Sequence, residues 1–233
     1  MKDEDEEESV STEDWSDIDE SEGLEDRAKR PDPVVVTLVD NGAMVVDPGM
    51  IDALHEKNYF GKKDETTGGL LLYPEEIMIF AERNRLLALR DPSPVEAEAA
   101  LPEIKEKWDA EGHDAFESDC RFLTTEELYR YFNEHVPDFW EKYVVYRDLK
   151  TRGYIVRRGV KDVSQFRVFK KGAKKGEDAA KFVYFGVFEG KPISLFKLNE
   201  ISEFATNNRQ ELVLAVVDRQ QDITYYNIKK QEL

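Results

Sequence analysis

The chain has 233 residues, of which 40% are apolar and 36% charged, and carries a formal charge of −17. That length accommodates two compact domains or one large one, with enough apolar residues for real cores. One cysteine, Cys120, excludes a disulfide framework; with no signal-peptide core and no run near the ~20 apolar residues of a bilayer span, the expectation is a cytoplasmic protein without membrane contact.

The charge is unevenly placed. Residues 1–30 hold 14 acidic and 4 basic residues, a net of −10. Such a segment cannot bury enough apolar surface to offset its ordering entropy, so residues 1–32 are expected to be a disordered acidic tail. Its roles in view are solubilisation, nucleic-acid mimicry or a hook for a partner. Residues 33–90 then read as a small α+β domain. Pro33 to Val39 is strand-like, Asp40-Asn41-Gly42 is a turn, and Ala43 to Val46 completes a hairpin. Ile51 to Lys57 is a short helix leading to Asn58-Tyr59-Phe60-Gly61-Lys62. A second helix starts near Pro74, because proline suits the first helical position, with Ile77, Phe80 and Ala81 on one face.

Residues 91–123 read as a connector. Pro92, Pro94 and Pro102 are expected to break it before a charged helix around Glu103 to Trp108. A second domain covers 124–233. Thr124 opens a helix with Glu127 at capping-box spacing, Pro137 ends it, and a longer helix follows from Phe139 to Thr151, closed by Gly153. Tyr154–Arg157, Gln165–Lys170, Phe182–Phe188 and Lys191–Leu195 are strand-like. Leu198, Ile201, Phe204 and Ala205 share a helix face. Leu212–Val217 is continuously apolar, as a strand covered on both faces would be, and Ile223–Ile228 is the last strand, across the loop Asp218–Asp222.

Few of these residues offer chemistry. The histidines are His55, His113 and His135, far apart in sequence and all ahead of the strand-rich region, so no metal centre is expected. Residues 147–175 form a basic island of net +9, including Arg157, Arg158, Lys161, Arg167, Lys170, Lys171, Lys174 and Lys175. Such a patch attracts either nucleic-acid phosphates or an acidic protein surface.

The segments YVVYRDLKTRGYIVRRGVK, SQFRVF and ELVLAVVDRQQDITYYNI stand in an order and spacing that resembles archaeal tRNA-splicing endonucleases. ALHEKNYFGKK and LLLYPEEIMIFAERNRLLAL are looser matches in the first domain. The resemblance implies an α+β fold, with a small N-terminal α/β domain before a mixed-sheet domain of the tRNA-intron endonuclease type. It implies a metal-independent and cofactor-free cleavage at bulge–helix–bulge elements of precursor tRNA. A Tyr, a His and a Lys would drive a ribose 2′-hydroxyl onto the adjacent phosphate, leaving a 2′,3′-cyclic phosphate and a 5′-hydroxyl.

At the matching positions this chain carries Phe169, Ala179 and Gln210, which lack the phenol, the imidazole and the ammonium. The resemblance further implies partner docking through the loop with Asp218 and Asp222 and the strand residues Ile223, Tyr225, Tyr226 and Ile228. The expected role is a structural subunit of a heteromeric endonuclease, forming a heterotetramer with a catalytic subunit. Two rivals stand beside it: an active RNA endonuclease with relocated groups such as Tyr184, Lys181 and Lys174, and a non-enzymatic RNA- or protein-binding module.

Overall fold

β1 (Val34–Val39) and β2 (Gly42–Val45) form the expected antiparallel hairpin, with Val36 opposite Val45. They belong to a computed structural model that describes residues 31–40, 42–65, 67–160, 164–170, 172–173 and 179–229; all but the last two residues of the acidic tail lie outside these. With β3 (Lys62–Lys63), β4 (Leu70–Leu72), β5 (Leu86–Leu89) and β6 (Phe122–Leu123) the hairpin builds a six-stranded sheet in the order β3-β4-β2-β1-β5-β6. The period of two along a strand sorts its side chains. Val34, Val36, Leu86 and Ala88 join one core, while Val35, Leu87 and Leu89 join another on the opposite face.

α1 (Pro48–Asp52) starts three residues before the helix expected at Ile51. Asp47 caps it by accepting from the Gly49 amide at 2.9 Å, with Pro48 at the first position. It runs into a wider turn over Ala53–Lys57. α2 (Pro74–Glu82) starts as expected but is buried on every side from Pro74 to Ala81, including Glu75 and Glu76, because helices of the second half cover its outer face. The single apolar face read from Ile77, Phe80 and Ala81 was therefore too narrow.

Residues 94–111 depart further from expectation. They form one helix, α3 (Pro94–Glu111), with Pro102 inside it. An interior proline costs ~3 kcal/mol. Against that, Ala97, Leu101, Ile104 and Trp108 make a stripe at helical spacing that is buried on the second face of the sheet. Its wide charged face hid this stripe.

The rest is more regular. α4 (Thr125–His135) has the Thr124–Glu127 capping box, and α5 (Phe139–Thr151) follows and ends ahead of Gly153 at φ +78°. The second sheet runs β11-β10-β9-β8-β7, from β7 (Ile155–Arg158), β8 (Phe166–Phe169), β9 (Phe182–Phe188), β10 (Glu211–Val217) and β11 (Ile223–Ile228). All neighbours are antiparallel except β9 and β10, which are parallel and joined through α6 (Leu195–Asn207). Val213, Ala215 and Val217 face the main core, and Leu212 and Leu214 face α6, so β10 is covered on both sides.

The strand expected at Lys191–Leu195 is absent. Pro192 offers no amide to a ladder, and Ser194 instead caps α6 by accepting from the Lys197 amide at 3.1 Å. None of the described helices is long and apolar enough to cross a membrane.

Candidate functional site

The sheet topology brings three positions to one place. Parallel β9 and β10 set the residues just before them side by side, and antiparallel β8 ends beside the start of β9. The Lys181 amide donates to Val168 O (3.1 Å), and the Glu211 amide to Lys181 O (2.9 Å). Phe169, Ala179 and Gln210 therefore come to the same end of the sheet, although 41 residues of chain separate the first from the last.

Their chemistry is inert. Phe169 has a ring and no hydroxyl, and Ala179 is an exposed methyl. The Gln210 amide is engaged with the backbone, its Nε2 donating to Ala180 O at 2.9 Å. The neighbouring candidates are also engaged. Lys181 pairs with Glu211 at 3.3 Å and lies 4.9 Å over the Phe182 ring. Tyr184 is buried against Tyr225, and burial pushes its phenol up to about 12, too high for a base at neutral pH. Lys174 lies outside the described residues.

Beside these positions opens a cleft of about 350 Å³ with a cationic wall. Antiparallel pairing of β7 and β8 sets Arg157 opposite Arg167 and Ile155 opposite Phe169, and these four side chains line it. His55, Tyr59, Lys62 and Tyr73 from the first half line the other wall. The cations are held in place. Arg157 donates to Gly61 O at 2.7 Å, the Arg158 guanidinium sits 4.5 Å above the Tyr73 ring, and Arg167 donates to Arg158 O at 3.3 Å. Lys170 is exposed on the same segment. Lys161, Lys171, Lys174 and Lys175 lie outside the described residues.

The elements expected to dock a partner fall on the opposite edge. β11 pairs only with β10 among the described strands, which leaves its outer edge available. Its inner side is anchored: Tyr225 donates to Asp148 on α5 at 2.5 Å, and burial together with that carboxylate keeps the phenol protonated. Tyr226 points outward and is 53% exposed, while Ile223 and Ile228 are half-buried. In the loop before β11, Asp218 accepts from the amides of Gln220 and Asp222, and Arg219 pairs with Glu189. Asp218 and Asp222 are both exposed.

His113, Asp114 and Glu117 bring ligand atoms within 4.8 Å of one another, but both acids are exposed and none of the three lines the cleft. His55 reaches the cleft, and His135 stacks on Tyr131.

Residues 139–225 match the family described as tRNA intron endonuclease, catalytic C-terminal domain. Over these residues the chain is similar to the tRNA-intron endonuclease domain. It is 37% identical over 117 residues to a tRNA-splicing endonuclease of Methanococcoides burtonii, covering 50% of this chain and 32% of that relative. To the Pyrococcus abyssi enzyme it is 34% identical over 109 residues, covering 47% of this chain and 62% of the relative. The Thermococcus gammatolerans enzyme is 28% identical over 196 residues, covering 84% and 97%. The chain thus spans about a third of the Methanococcoides relative and nearly all of the Thermococcus one.

Within the family frame, Tyr59, Tyr73 and His55 are cleft residues that the sequence reading did not single out. The only local signal for them was the glycine-lysine turn Gly61-Lys62, which says nothing of the second sheet it meets.

Proposed function

We propose that this chain is the structural, non-catalytic subunit of a heteromeric tRNA-splicing endonuclease. It would hold a catalytic subunit in the orientation needed to cut both strands of a bulge–helix–bulge element in precursor tRNA. One observation carries the reading: Phe169, Ala179 and Gln210 occupy the end of the sheet where the family pattern has its three reactive groups, and none can exchange a proton or carry a cation. Removing one general acid or base typically costs roughly 10²- to 10⁴-fold in rate, so replacing all three leaves little.

Association surfaces support the same role. The free edge of β11 is one. Another is the adjacent pair Leu195 and Phe196, which are 84% and 82% exposed at the start of α6. Bare apolar side chains of that size, side by side, favour a protein contact. The cationic cleft is the third, and its charge and fixed guanidinium groups suit an acidic loop of a partner subunit.

The purified chain, incubated with a bulge–helix–bulge RNA, is expected to leave it uncut, and addition of a catalytic family member is expected to restore cutting. Cleavage by the chain alone, lost on changing Tyr184 or Lys181, would establish the relocated-site alternative. Failure to bind any family subunit, with retained RNA binding through the cleft, would leave a stand-alone binding module.

A further inference from the structure

Resting on that reading of the cleft, we propose that Glu76 is a positioning residue that couples one buried proton to the cleft's grip on an acidic partner. Glu76 lies in the first turn of α2, is 4% exposed and is not among the residues that line the cleft. Its carboxylate joins two distant amides. It accepts from Tyr73 N at 2.9 Å, and from Gly61 N at 3.0 and 3.1 Å through its two oxygens. Both amides belong to segments that line the cleft.

The Gly61 turn needs such a clamp. Tyr59 and Gly61 both have positive φ, +61° and +68°, and a Cβ on Gly61 would lie 2.8 Å from Leu71 O and 2.7 Å from the Leu70 side chain. Only glycine fits there, and glycine loses the most freedom when ordered. With its amide held by Glu76, the Gly61 carbonyl accepts from Arg157 across the cleft. Two residues earlier, Tyr59 donates to Ala173 O at 3.0 Å. One carboxylate thus fixes the turn that orients a cationic side chain and a wall aromatic.

Its surroundings make the proton mobile near neutrality. Glu75 beside it on α2 opposes its charge, and Arg157 from β7 favours it. Tyr73 ahead of α2, Tyr146 and Lys150 from α5 and Arg83 at the end of α2 are the other titratable and charged groups around it. Burial dominates and raises Glu76 to about 7. Protonation turns a charge-assisted acceptor into a weaker one, and the Gly61 turn loosens. His55 also lines the cleft, with its Nδ1 3.1 Å from Phe60 O in the peptide that carries the Gly61 amide, and it is common to the wild type and to any Glu76 variant.

The experiment measures the affinity of the full chain for a fluorescein-labelled oligo-aspartate peptide at pH 6 and pH 8, for wild type and Glu76→Gln. The isosteric amide stays neutral at both. The expected result is binding about tenfold weaker in the variant at pH 8, and equal in the two at pH 6. A second readout is the Gly61 amide resonance, which should titrate between pH 6 and 8 in wild type and not in Glu76→Gln. A variant-to-wild-type ratio that does not change with pH, or a Gly61 amide that does not titrate, overturns the coupling while leaving the cleft reading intact. No peptide binding by wild type at either pH removes the cleft reading, and the coupling with it.

Discussion

Gln210 donates its side-chain amide to the carbonyl of Ala180, 2.9 Å away and 30 residues earlier in the chain. A residue at the start of β10 is thereby tied to the segment that opens β9, and the bond uses the group standing where the family pattern calls for an ammonium. The frame around it is intact, because the backbone bonds Lys181–Val168 and Glu211–Lys181 hold the three sheet ends in place. Restoring the groups should therefore restore chemistry. The triple variant Phe169→Tyr, Ala179→His, Gln210→Lys is expected to gain cleavage of a bulge–helix–bulge RNA over wild type, with each reverted group worth roughly 10²- to 10⁴-fold. Gel analysis of products ending in a 2′,3′-cyclic phosphate checks it. No gain in a folded triple variant would count against a merely degenerate site.

Tyr225 anchors β11. Its hydroxyl donates to Asp148, whose carboxylate also accepts from Arg152 at 2.7 Å, and the Arg152 guanidinium lies 5.4 Å over the Tyr225 ring. Tyr225→Phe removes a bond to a charged acceptor and should lower unfolding free energy by about 1.5–3 kcal/mol. A urea titration with unchanged slope would report it. A loss below about 0.5 kcal/mol would mean that solvent replaces the phenol at Asp148.

The uneven legibility of this chain has physical causes. α4 and α5 could be read because their signals are local: a Thr124–Glu127 box, Pro137 and Gly153. β9 and β10 were plain as long apolar runs. Pro102 misled because the burial that outweighs it comes from a sheet far away in sequence, and Lys191–Leu195 misled because alternation cannot reveal that Ser194 caps a helix. Motif order alone pointed to Phe169, Ala179 and Gln210, and the sheet brings these three to one end. The cleft could not, since its key bond, Arg157 to Gly61, spans 96 residues.

Glu76 and Lys150 bend the stability of the protein with pH in opposite senses. Burial raises Glu76 from 4.5 to about 7 in the folded state, so the stability it contributes is fully present below pH 4.5 and is lost as pH rises to about 7. Burial lowers Lys150 from 10.5 to about 8, so stability is regained between about pH 8 and 10.5. Glu76→Gln should remove the acid limb, worth at most about 3 kcal/mol from the size of its displacement. Lys150→Met should remove the alkaline one. Denaturation at closely spaced pH values checks both, and identical profiles for wild type and Glu76→Gln would contradict the burial argument.

Ile201 and Phe196 sit five residues apart on α6 and should separate folding from assembly. Ile201 is fully buried between α6 and the second sheet, among Val183, Ala205 and Leu212. Phe196 is 82% exposed beside the equally bare Leu195. Ile201→Ala should cost about 2–5 kcal/mol through lost burial and the cavity left behind. Phe196→Ser removes a largely exposed ring and should alter the stability of the isolated chain by less than about 0.5 kcal/mol. If the bare pair is an interface, that same substitution should weaken association with a family subunit by tenfold or more, since a buried aromatic anchor is typically worth about 1–2 kcal/mol or above. Analytical ultracentrifugation of the mixed subunits measures it, and unchanged association for Phe196→Ser would exclude this face from the assembly.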